Sequence, residues 1–133
     1  MSRWDDDIAG RALNVVNDAG EVTDAAFAKY RSRVAEMATM LHLSGVAATL
    51  AFLGSRTDPA HQLAGRHLSR ELGKLFELDA PDATISRVLK AVVAADVDGR
   101  LGAERHARTY AGWLKRAVEI RKQRDATATV GPP

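Results

Sequence analysis

The chain has 133 residues, 46% of them hydrophobic and only 5% aromatic, with no cysteine and a formal net charge of +2. This is one domain by size, able to bury roughly two-thirds of its unfolded surface. The missing cysteines exclude a disulfide framework and thiolate metal sites, and abundant alanine with few aromatics suits closely packed helices better than sheets.

The small net charge hides a segregation. Residues 1–25 hold two arginines against six acids, whereas residues 100–125 hold eight Lys or Arg against three acids. This imbalance predicts an anionic partner at one end of the molecule, or a self-complementary contact between the two ends. Asp5, Asp6 and Asp7 stand where a signal peptide would carry basic residues before an apolar run. The run 43–55, without charge or histidine, is short of a bilayer span. The expectation is a soluble, cytoplasmic protein with no membrane partner.

Six helical segments and no strand alternation predict an all-α single bundle over residues 1–125. The first runs from about Arg3 to Asn17, with Ser2 as cap, the three aspartates at the positive end of the helix dipole, and Gly20 as the stop. The second, capped by Thr23 or Asp24, turns Phe27, Tyr30, Val34, Met37 and Leu41 inward. The third, residues 43–54, is apolar all round and so expected at the centre.

Asp58-Pro59 opens a fourth helix, with Ala64, Leu68, Leu72 and Leu75 inward and Arg66, Arg70 and Lys74 roughly opposite. Asp79-Ala80-Pro81-Asp82 breaks the chain before a fifth helix carrying Ile85, Val88, Leu89, Val92 and Val93. Asp98-Gly99 is the expected turn into the sixth. The tail, residues 126–133, has no periodicity and is expected to be disordered.

The last helix carries the strongest pattern. Ala107, Tyr110, Leu114, Ala117 and Val118 share one side, with Trp113 at its margin, while Arg105, Arg108, Lys115 and Lys122 share another. One face suits a protein core and the other a polyanion. Trp113 reads as a packing anchor rather than a stacking platform, and Gly112 as relief of crowding against a neighbouring helix or room for a phosphate. The seven cations Arg105, Arg108, Lys115, Lys122, Arg66, Arg70 and Lys74 are the candidate contacts to a phosphate backbone, without base readout, and become the candidate RNA contacts under the resemblance given below.

Chemistry of other kinds lacks its residues. His61 and His67 lie six apart, roughly 120° off a common helix face, and His42 and His106 are isolated, so no metal set forms. Asp96-Val97-Asp98-Gly99 resembles a calcium loop, but with Gly99 at the sixth position Ala94 takes the first ligand slot and Arg105 the glutamate slot. No GxxxxGK[ST] or GxGxxG cradle occurs, and Ser44 and Ser55 have no nearby base. No catalytic residue, metal or cofactor is expected.

Three pieces in order resemble the small α-helical subunit of type III-B CRISPR RNA-targeting complexes, the fifth Cmr protein family. They are Lys29-Tyr30-Arg31-Ser32, then Gly45-Val46 through Leu50-Ala51-Phe52-Leu53 with Gly54-Ser55-Arg56, and finally Trp113-Leu114-Lys115-Arg116-Ala117. The resemblance spans roughly residues 25–122. A proline and an amide residue common ahead of the glycine are missing from residues 36–44 here, so the approach to the third helix is expected to be continuous or differently bent. The resemblance implies a compact helical protein without catalytic activity. Copies of it would stack beside the guide-binding backbone subunit, with the large subunit as a further partner, and help hold the guide and target RNA. Two other readings remain open: a stand-alone adaptor or assembly module whose basic faces dock on acidic protein surfaces, and a helical DNA-binding regulator, for which no exposed recognition helix is found.

Overall fold

The computed structural model describes residues 3–130, and every regular element among them is helical. Helix α1, Arg3–Leu13, carries Asp5 and Asp6 in its first turn and buries Ile8, Ala9 and Ala12. It widens into a π-helical turn, Asn14–Asp18, which buries Val15 and Val16. Gly20, at φ 72°, then turns the chain away in a conformation that disfavours side chains. The expected cap Ser2 lies outside the described residues.

Helix α2, Phe27–Ser55, is led in by a turn in which Thr23 Oγ1 accepts from the Ala26 amide at 3.2 Å. Its first part buries the expected stripe Tyr30, Val34, Met37 and Leu41, and its second part buries Val46, Thr49, Leu50 and Leu53. Between them Gly45 sits at φ 86° and ψ 177°, which breaks the helix. The second and third expected helices are therefore both present as the two arms of α2, which, taken as one element, leaves five α-helices where about six were expected. The bend occurs without the family's proline. Nor is the second arm covered on all sides: Ala48, Ala51 and Gly54 are exposed, tolerable because they present little apolar area. By length and composition α2 could cross a membrane. Its break and the core contacts on both arms make it the central helix of this bundle.

Helix α3, Pro59–Gly73, starts as its sequence demands, with the Asp58 side chain accepting from the His61 amide and proline in the first turn. Ala64, Leu68 and Leu72 are fully buried. Leu75 is not: the chain tightens into a 3-10 turn over Lys74–Phe76, which rotates Leu75 outward (43% exposed) and packs Phe76 against the core instead. After a cis Ala80–Pro81 peptide, helix α4, Ile85–Ala94, is capped by Thr84. Val88 and Val92 are buried and Ile85 and Leu89 half-buried, while Val93, at the edge of the stripe, is exposed.

Helix α5, Val97–Val130, is the longest. Asp98 and Gly99 lie inside its first turn rather than before it, because Asp96 caps the helix by accepting from the Gly99 amide at 2.7 Å. Residues 126–130, expected to be disordered, continue this helix, and residues 131–133 lie outside the described residues. Helix α2 packs on α5, α3 and α4, and α1 packs on α5.

Two side chains of α5 settle how the rest is arranged. Glu104 Oε1 accepts from the Val46 amide at 2.9 Å, satisfying the first free N–H of the second arm of α2. Arg121, only 5% exposed, donates to the carbonyls of Val16 and Val22 at 2.8 and 2.7 Å and to Asp24 at 2.8 Å. It thereby ties the α1–α2 connection to the end of α5, with its guanidinium 4.5 Å from the Phe27 ring centre.

A Cβ at Gly45 would meet Glu104 Oε1 at 2.9 Å, and its dihedral angles belong to glycine alone. Gly45→Ala should therefore lower unfolding free energy by about 1–3 kcal/mol. Gly102→Ala, at a helical site with nothing within 4 Å of the added carbon, should raise it by roughly 0.5–1 kcal/mol. Urea denaturation of both variants measures this, and equal effects would refute the assigned role of the break.

Candidate nucleic-acid interface

Helix α5 divides as its periodicity predicts. Ala103, Ala107, Tyr110, Ala111, Leu114, Ala117 and Val118 are all buried, and four alanines among them let α5 approach its neighbours closely. Trp113 is half-buried at the margin, and its remaining face is covered by Arg116, whose guanidinium lies 4.6 Å from the ring centre. The anchor reading of Trp113 holds. The crowding reading of Gly112 does not, since a Cβ there would have nothing within 4 Å.

The four α5 cations are all exposed, along about 26 Å of helix. They differ in what they touch. Arg105 lies over the Trp4 ring at 4.7 Å, leaning towards α1. Arg108 has Glu104 at 3.7 Å, the same carboxylate that caps Val46. Lys115 lines a groove between α2 and α5 with Ala28, Ser32 and Arg31. Lys122 stands one residue beyond the buried Arg121. Among the described residues neither lysine makes an ion pair. Arg31, across the groove, entered the sequence reading only as part of the Lys29–Ser32 piece; it bonds Glu119 at 2.9 Å, a pairing between helices that spacing along one helix cannot reveal.

The three α3 cations do not extend this surface. Arg70 is bonded to Glu21 through both carboxylate oxygens, at 3.0 and 3.1 Å. With Lys74 it lines a polar cleft of about 600 Å³ whose other wall is α1, with Asp6, Asp7 and Arg11. Arg66 faces a different, apolar cleft between α2, α3 and α4. Arg70 and Lys74 thus share a cleft with Asp6 and Asp7 of α1, whereas Arg105 leans on Trp4 of the same helix.

At the base of the polar cleft is a buried charge network that the sequence concealed. Glu71, 3% exposed, accepts from Arg11 Nε and Nη2 at 2.9 and 2.8 Å and from His106 Nε2 at 2.7 Å. Burial opposes its charge, yet these bonds hold the carboxyl at about 2. Nearby, burial keeps the Tyr30 phenol protonated, so its hydroxyl donates to His67 Nδ1 at 2.7 Å. Burial also outweighs the pull of Glu21, 3.4 Å from Nε2, and lowers His67 to about 4. His61 is buried between Asp58 and Glu36, 2.8 Å from the latter. Three of the four histidines are therefore bonded inside the bundle. Among the described residues no three His, Asp or Glu converge as a metal would require.

Fold and surface together define an all-helical bundle with one cationic helix face and a core held by buried ion pairs. The sequence pattern described as "CRISPR-associated protein (Cas_Cmr5)" matches residues 5–121, and the chain belongs to that family. The crystal structure of a CRISPR-associated Cmr5 family protein from Thermus thermophilus has the same fold. It superposes with a TM-score of 0.71 at 21% identity, covering 90% of this chain and 97% of that one. Comparison with curated proteins gives no match. Membership bears out the resemblance and makes this a CRISPR-associated protein.

The network sets an acid limit. An unfolded chain protonates its histidine near 6.5 and its glutamate near 4.5, whereas folded His67 and Glu71 do so near 4 and 2. The unfolded state binds more protons in both windows. Stability should fall as pH drops from about 6.5 towards 4, and again from about 4.5 towards 2. Urea midpoints at pH 7, 5 and 3 check this, and a flat response would refute it. At pH 7, Glu71→Ala should cost about 3–5 kcal/mol, because it leaves buried His106 and the Arg11 fork without their acceptor.

Proposed function

We propose that this protein is a non-catalytic small subunit of a type III-B CRISPR ribonucleoprotein effector complex in the cytoplasm. Copies stack beside the backbone filament, in reach of the large subunit, and help hold target RNA and the guide–target duplex. The observation that carries this reading is the division of α5: its apolar face is fixed in the core, so Arg105, Arg108, Lys115 and Lys122 are obliged to face outward as a set. Cations held on a rigid helix suit sequence-independent phosphate contact, and no exposed ring stands among them to read or stack on a base. The α3 cations contribute less: Arg70 is already neutralised by Glu21.

If the four α5 cations neutralise four phosphates, affinity for single-stranded RNA should fall roughly 50-fold between 50 and 200 mM salt, from a slope near 0.7 per contact. Fluorescence anisotropy on the assembled complex measures it, and a salt-independent affinity would remove the electrostatic argument. Lys115→Glu with Lys122→Glu should weaken RNA binding while the complex still assembles. Loss of assembly with RNA affinity intact would favour the other reading, a module whose basic face docks on acidic protein.

A further inference from the structure

The second arm of α2, the first turns of α3 and the start of α4 enclose a cleft of about 700 Å³. Its floor is aliphatic, from Leu53, Ile85 and Leu89, and Gly54 is exposed at its edge, with Ile85 Cγ2 3.1 Å from where a Cβ would sit. Arg56 and Arg66 stand exposed on its rim, and no carboxylate lines it. The polar cleft beside α1 differs in kind, because its arginines are matched by Glu21 and Glu71 and its walls carry acids of their own. Here two positive charges flank apolar surface with nothing opposite them.

We propose that this cleft docks an amphipathic segment of another protein subunit, with aliphatic side chains on the floor and carboxylates paired to Arg56 and Arg66. Charge and polarity both select this occupant. Protein interfaces are apolar at their centre with polar rims, whereas nucleic-acid interfaces are more polar and more strongly cationic throughout. No aromatic ring lines this cleft to stack on a base, and Phe52, beside Ala51 and Leu53 on α2, has Arg56 5.3 Å over its ring centre and His61 edge-on at 5.5 Å. A helix can descend far enough to use the floor because Gly54 and Ala51, both exposed, add almost no height there. On α3, Arg66 and Arg70 would then serve different purposes despite their shared stripe, since a side chain one turn away opens into a different cleft.

The test places a photo-cross-linking residue at Ser86, an exposed position lining the cleft, and purifies the assembled complex with its co-expressed subunits and RNA. Cross-linking should join Ser86 to a peptide of a different subunit that carries aliphatic and acidic residues. Arg56→Glu with Arg66→Glu should reduce its yield about tenfold, roughly 1.4 kcal/mol, and Ala51→Trp should do the same by filling the cleft without changing charge. Unaltered far-UV dichroism and thermal midpoint keep both variants interpretable. A cross-link to RNA, a cross-link to a second copy of this chain, or an intact complex without any cross-link would each overturn the proposal. RNA affinity, measured in parallel, should not change with Ala51→Trp, which leaves every candidate RNA contact in place, so the outcome is independent of the α5 reading.

Discussion

The carboxylate of Glu71 is the interaction on which the arrangement of the helices depends. It sits on α3 in the interior, bonded on one side to Arg11 of α1 and on the other to His106 of α5. Apolar packing alone would let three alanine-rich helices slide against one another, since small side chains interlock weakly. A buried carboxylate cannot slide: any displacement strands its charge in a poorly solvating interior, a loss far larger than that of one aliphatic contact. Trp4, edge-on to His106, and Tyr110, packed beside this network at the base of the cleft, complete the seat of α1 on α5.

Two further polar contacts extend the same logic along α5. Arg121 satisfies two carbonyls of the connection between α1 and α2, and Glu104 occupies the free amide created where Gly45 breaks α2. Glu71, by way of His106, acts between these two points. Helix α5 is thus fixed in rotation at two levels of its length: the turn of Glu104 and His106, against α2 and α3, and Arg121, against the connection between α1 and α2. This is why its outward face is a dependable platform for Arg105, Arg108, Lys115 and Lys122. A freely rotating helix would present each cation at varying angles and forfeit the advantage of a preformed array.

A subunit of this build suits a role in which it contributes surfaces rather than chemistry. Its buried polar groups hold the fold, and two sets of its exposed ones are candidates for contact. The cations of α5 stand over a tightly packed helix and face solvent, as phosphate contacts require. Arg56 and Arg66 flank an apolar cleft, as a protein contact requires. These lie on different elements, so under the proposed reading an RNA strand and a neighbouring subunit would not compete for the same side chains.

Much of this was legible in the sequence. The period of Ala107, Tyr110, Leu114 and Val118 defined the buried face of α5, and Asp58-Pro59 defined the start of α3, because both depend on interactions within a few residues of chain. The order of three short pieces was enough to indicate the family. The sequence could not reveal that Arg121, at the end of a run of surface cations, is buried, although its position on the apolar face of α5 was a hint: its partners are backbone carbonyls about a hundred residues earlier. It could not place the break between the arms of α2 at Gly45, because the acceptor that supports the break comes from α5. Nor could it divide the α3 stripe, where Arg70 meets Glu21 and Arg66 faces an apolar cleft. Periodicity specifies which side of a helix is buried, since that depends on the chain's own geometry. What each exposed charge faces depends on which other helix lies against it, and only the tertiary structure decides that.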